Sequence, residues 1–217
     1  MPEISSSATG HAQPDVEAAP RHAPVEADGA VSRESSPTPS GPGGWSAQHP
    51  HMFHLQTWAP SVFDGGALQG ATAENWPILS GKQGSVYLAR LEPGGVREPH
   101  WHPSAWELNF VISGKAQWSL VGPQATHDAF EAGPGDLVFA PQGHFHYFEN
   151  ASETEDLVVL IVFNASAGEP DDDVGIVASL SAIPSDVLAA VFKTSPDAFG
   201  NLPRKIERVT IARKQND

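Results

Sequence analysis

Five short runs of β-branched and aromatic residues, each closed off by glycine or proline, constrain this chain more than any other feature. They are residues 85–91 (SVYLARL), 106–112 (WELNFVI), 116–121 (AQWSLV), 136–140 (DLVFA) and 157–163 (LVVLIVF). Runs of this length and type read as strands, not helices. The connectors Glu-Pro-Gly-Gly, Ser-Gly-Lys, Ala-Gly-Pro-Gly-Asp and Pro-Gln-Gly are short. Short connectors join antiparallel neighbours, because a parallel pair needs a long crossover. An all-β barrel or sandwich follows, and 20 glycines with 20 prolines in 217 residues suit its many tight turns.

The flanks have a different character. Residues 1–44 are rich in Ala, Ser, Pro, Glu and Gly and carry no aromatic side chain, so they cannot bury enough apolar surface to offset ordering; a disordered tail is predicted. Residues 45–83 mix Phe53, Trp58, Phe63 and Trp76 with turn residues and show no period, which predicts an irregular arm packed on the barrel. The barrel is assigned to residues 84–164. Beyond it, residues 165–217 begin with a polar loop and continue into one or two short helices, with Ser185 placed to cap DVLAAVF and Pro196 opening a further turn.

A formal charge of −14 disfavours nucleic acid and anionic membrane surfaces as partners. An anionic substrate would therefore need its own local positive charge, from an arginine or a metal. With no cysteine, disulfides and thiolate ligands are excluded. The opening MPEISSSATG lacks a basic segment followed by an apolar one, so a cytoplasmic location is the expectation; the sequons at Asn150 and Asn164 then carry little meaning.

Side chains two apart on a strand share a face, so His100 and His102 in Glu98-Pro-His-Trp-His converge. Glu107 opens the next strand, and His146 follows the Pro141-Gln-Gly143 turn, where a barrel can bring a fourth ligand across. Three imidazoles and a carboxylate without sulfur suit Mn²⁺ or Fe²⁺, while Zn²⁺, Ni²⁺ and Cu²⁺ remain open. Arg97 is at odd parity to His100, yet its long side chain can reach the same site across a twisted or bulged strand; the alternative is a surface ion pair with Glu98 or Glu92.

These residues resemble the two motifs of the cupin superfamily. Gly94, His100, His102, Glu107 and Gly114 fill the first, and Gly135, Pro141, Gly143, His146 and Asn150 the second. The resemblance implies a double-stranded β-helix (jelly roll) and makes His100, His102, Glu107 and His146 the metal ligands. Within the superfamily, residues 92–102 (EPGGVREPHWH) and the segment 180–199 are similar to the oxalate decarboxylase and germin-like branch. That likeness implies a Mn²⁺- and dioxygen-dependent conversion of oxalate to formate and CO₂, with Arg97 holding a substrate carboxylate. It also implies a homo-oligomer, since only one copy of the motif pair is present where such enzymes usually carry two.

The branch places a lid glutamate just after the last barrel strand, and a gapless count from Phe163 puts Pro170 there. Glu169 and Asp171 flank it and are the candidate proton donors. Other metal-dependent cupin reactions (oxidase, dioxygenase, isomerase or cyclase) and a non-catalytic binding role are the competing readings. His49, His51 and His54 form a weaker metal candidate. Trp101, Asn109, Phe139 and Phe145 are candidate pocket residues, with Asn109 on the strand face of Glu107, and His144 is read as structural.

Overall fold

The chain is described from a computed structural model over residues 44–165, 173–204 and 210–215. The expected tail up to residue 43 and the candidate acids Glu169 and Asp171 lie outside the described residues. A small hairpin comes first, β1 (Trp45–Ser46) with β2 (His49–Phe53), followed by β3 (Ser61–Phe63) and β4 (Gly66–Ala71). The barrel strands are β5 (Ser85–Leu91), β6 (Gly95–Trp101), β7 (Glu107–Ser113), β8 (Ala116–Val121), β9 (His127–Ala132), β10 (Leu137–Ala140), β11 (Phe145–Asn150) and β12 (Leu157–Phe163). After them come β13 (Val174–Gly175), helices α1 (Ile176–Ser181) and α2 (Ser185–Phe192), and β14 (Ile211–Arg213).

Two six-stranded groupings face each other. One runs β10-β7-β12-β5-β4-β3, and the other runs β13-β6-β11-β8-β9 with β14 also on β6. Every pairing is antiparallel, as the short connectors require. Alternation along β7 shows how one strand serves two faces: Glu107, Asn109 and Val111 are buried, whereas Phe110 and Ile112 are exposed. Its edge neighbour β10 repeats the pattern, with Val138 and Ala140 inside and Leu137 and Phe139 outside.

The core fills the barrel behind this face. Trp118 and Phe148, directly opposite on β8 and β11, stack at 4.4 Å between ring centroids, and Leu91, Val111, Leu157, Val159 and Ile161 close around them. Large side chains of this kind each contribute roughly 1.5–3 kcal/mol on burial. Gly114, in the β7–β8 hairpin, has φ of +81°, and a Cβ there would meet the Asp156 carbonyl oxygen at 2.6 Å. Any other residue would strain that hairpin and push β7 off β12.

Several elements differ from the sequence expectation. The arm read as irregular contributes β3 and β4 to the sheet, and β4 pairs along β5 from Gly66 opposite Leu91 to Ala71 opposite Val86. Its small residues GALQGA carry no strand-like periodicity, and the Tyr87 ring occupies the space a side chain at Gly70 would need. Likewise β6, β9 and β11 are too polar to read as apolar runs. In α2 the cap position falls on Pro184, with Ser185 one residue inside, where its hydroxyl contacts Arg204. The serine that does cap is Ser195, which accepts from the Asp197 N–H at the turn that Pro196 opens.

Candidate metal centre

His100, His102, Glu107 and His146 come together inside the barrel, each at most 2% exposed. Three elements position them. β6 supplies His100, and His102 follows one residue past its end; β7 begins at Glu107; β11 carries His146 directly opposite His100. The Gly143 N–H donates to the His102 carbonyl at 3.0 Å, tying the turn before β11 to the first motif.

The donor atoms face one point. His102 Nε2 and His146 Nε2 each lie 3.0 Å from Glu107 Oε2, His100 Nε2 lies 3.1 Å from His102 Nε2, and His100 Nε2 is 3.9 Å from Glu107 Oε2. Ligands held at about 2.0–2.2 Å from a single ion and at right angles to each other are roughly 3 Å apart, so the cluster has the spacing of one coordination shell. All four ligand atoms fall within 4.8 Å of one another, as opposite positions on such a shell require. The residues therefore fit a divalent ion. Glu107 Oε1 is buried without a hydrogen-bond partner among the described residues, an orphan that an ion resolves.

Ring orientation is fixed from behind. His100 donates Nδ1–H to the Glu98 carbonyl at 2.6 Å, and His146 donates Nδ1–H to the His144 carbonyl at 2.8 Å. A carbonyl only accepts, so both Nε2 atoms are left with their lone pairs toward the cluster. Burial, followed by the nearby positive charge of Arg97, holds His100 well below the usual histidine range and keeps it a neutral ligand. For Glu107, burial alone would raise the pKa; the electrostatic pull of the His146 and His102 imidazoles beside it prevails, and the carboxyl is held well below its ordinary range.

Arg97 joins this face through a β-bulge. Opposite β11, His146 pairs with His100 but Phe148 pairs with Arg97, so two steps on β11 span three on β6. The extra residue reverses parity and turns Arg97 inward, fully buried. The alternative of a surface pair is thereby corrected: Arg97 Nη2 bonds Asp173 Oδ2 at 2.6 Å, and Nη1 donates to the Thr210 carbonyl at 3.1 Å. Glu92 instead pairs with Arg213. Sequence reasoning missed Asp173, because nothing local links it to an arginine 76 residues earlier. It also missed Glu98, whose carboxylate accepts the Val177 N–H at 2.9 Å and anchors the start of α1.

The other candidates fall elsewhere. Phe139 is on the outer face against Trp106, while Trp101 and Phe145 pack on each other. His144 is partly buried and lines a cleft of about 320 Å³ beside β8 and β10. Among the described residues, His49, His51 and His54 do not join a group able to hold a metal.

The fold and this ligand cluster define a metal-binding β-barrel. The chain belongs to the cupin family, whose sequence pattern matches residues 55–198. Among its relatives, a protein named probable oxalate decarboxylase from Arthroderma benhamiae is 33% identical over 168 residues, covering 76% of this chain and 40% of that one. Germin-like protein subfamily T member 3 of Arabidopsis thaliana is 30% identical, covering 56% of this chain and 53% of the relative. The solved oxalate decarboxylase of Bacillus subtilis at pH 4.6 superposes with a TM-score of 0.66 at 26% identity, over 74% of this chain and 40% of that one. The chain thus spans about 40% of the length of the oxalate decarboxylases it matches. No described helix is long and apolar enough to cross a membrane.

Proposed function

We propose that this cupin is a metal-dependent enzyme acting on oxalate or a similarly small carboxylate, and that it converts oxalate to formate and CO₂. The observation that carries the reading is Arg97: a bulge turns a fully buried guanidinium onto the same barrel face as the ligand cluster. In a chain of charge −14, that is the local positive charge an anionic substrate needs. The names of the relatives point to the same substrate.

His100, His102, Glu107 and His146 would hold the ion, for which Mn²⁺ is the leading candidate and Fe²⁺, Zn²⁺, Ni²⁺ and Cu²⁺ the others. When bound, a redox-active ion of this kind supplies, together with dioxygen, the one-electron chemistry that weakens a carbon–carbon bond. The chain's own residues do the rest. Arg97 draws a carboxylate to the cluster, and Asp173 and Thr210 hold the guanidinium in place. The barrel wall excludes bulk water, and an acid on the segment after β12, Glu169 or Asp171, delivers the proton that becomes the C–H of formate. The overall balance is oxalate dianion plus one proton giving formate and CO₂.

Pro170 at the expected position of the lid acid favours one second reading. Without a well-placed proton, oxalate, dioxygen and two protons would give two CO₂ and hydrogen peroxide. The exposed apolar face of Phe110, Ile112, Leu137 and Phe139 supports association of copies into a homo-oligomer. Incubating the metal-analysed protein with oxalate and following formate, CO₂ and peroxide tests both readings. Formate marks a decarboxylase and peroxide an oxidase, and consumption of no oxalate at any metal loading overturns the proposal.

A further inference from the structure

Asn109 lies on the inward face of β7, two residues from Glu107, and is fully buried. Neither its Oδ1 nor its Nδ2 has a hydrogen-bond partner among the described residues. Its cross-strand neighbours are Val138 on β10 and Ile161 on β12, both buried and apolar, so the sheet offers the amide nothing to bond. A buried amide without partners is costly, and a valine or leucine would fill such a strand position at no such cost. The 320 Å³ cleft at the open edge of the barrel is lined in part by Leu120 and Val138, the strand neighbours of His146 and Asn109.

We propose that Asn109 forms a ligand subsite beside the metal cluster that reads a donor and an acceptor together: Nδ2–H donates to a carboxylate oxygen while Oδ1 accepts from an O–H on the same molecule. The ligand class is a small monoanion bearing both groups, a 2-hydroxy acid or a half-protonated dicarboxylic acid. This specificity rests on the small-carboxylate reading above and narrows it. For oxalate the monoanion would bring one proton with it, so hydrogen oxalate balances to formate and CO₂ overall, with the acid after β12 giving its proton to carbon and recovering the one the substrate brought.

The test is binding, read apart from turnover. Glycolate and methoxyacetate share a carboxylate, but the second has its hydroxyl capped by a methyl group. Titration calorimetry on the metal-replete full chain should show glycolate at least about 10-fold tighter, the worth of one good hydrogen bond to an otherwise unpaired buried group. Asn109→Leu, close in volume, should keep its metal content, hold or raise its thermal midpoint, and lose that preference. Asn109→Ala should behave alike if Leu does not fit; if both variants fail to fold, the amide is structural and the proposal falls. If Asn109→Leu retains the native preference while the protein turns over oxalate, the subsite alone is refuted. If the native protein binds neither acid nor oxalate, the small-carboxylate reading falls and the subsite with it.

Discussion

Replacing Asp173 by Asn tests the buried ion pair that ties the segment after β12 to the barrel wall. Arg97 is fully buried, the Asp173 side chain is 6% exposed, and the two meet at 2.6 Å, so solvent screening offers little relief. Breaking a buried pair by neutralising one partner costs about 3–5 kcal/mol, because the other charge is stranded. Asparagine keeps the shape and one hydrogen-bonding oxygen, which places the change at the lower end, about 3 kcal/mol. For a chain of this size that lowers the thermal midpoint by about 6–12 °C, measured by circular dichroism on the metal-loaded protein. Adding Arg97→Met to Asp173→Leu should recover most of the loss, since an apolar pair of similar volume carries no stranded charge. The Thr210 carbonyl would still accept the Glu98 N–H at 3.0 Å. A midpoint within about 1 °C of native for Asp173→Asn, or a double variant no better than the worse single one, refutes the reasoning.

His102→Ala should lower metal content at least about 100-fold in affinity, read by elemental analysis after dialysis, and full retention would remove His102 from the ligand set. In the metal-stripped protein, stability should fall as pH drops below 6.5, the ordinary histidine value, because the unfolded chain protonates at His100 before the folded one does. Glu107 should add a second decline below 4.5, its stabilising ionised form being lost as pH falls toward its lowered folded pKa; thermal melts across the pH range check both, and Glu107→Gln should abolish the lower step. Glu169→Gln or Asp171→Asn should depress formate release by about 10² to 10⁴ with metal content intact, and unchanged release in both would remove the segment as the proton source.

The ligand cluster was legible in the sequence because both motifs are short and their turns force convergence: His100 and His102 share a strand face, and Pro141 and Gly143 shape the turn before His146. The inward direction of Asn109 followed from parity with Glu107. What could not be read was non-local. Whether Arg97 turned in or out depended on how many residues of β6 face β11, a register property that no spacing within β6 reveals. Its partner Asp173 stood in the same acidic run as the two chosen lid candidates, and charge alone does not rank neighbours there. Strands β4, β9 and β11 escaped the apolar-run reading because small or polar residues form strands when an adjacent strand supplies the pairing.

The bulge also uncouples the direction of Arg97 from the count of residues that separates it from the ligands. Losing the codon for Pro99 would place Arg97 two residues before His100, where simple alternation turns it inward opposite Phe148 as the bulge does now. The extra residue and the bulge that absorbs it are thus gained or lost together, and a lineage built on this scaffold can change the length of β6 at that point in one genetic step without surrendering either the ion or the arginine beside it.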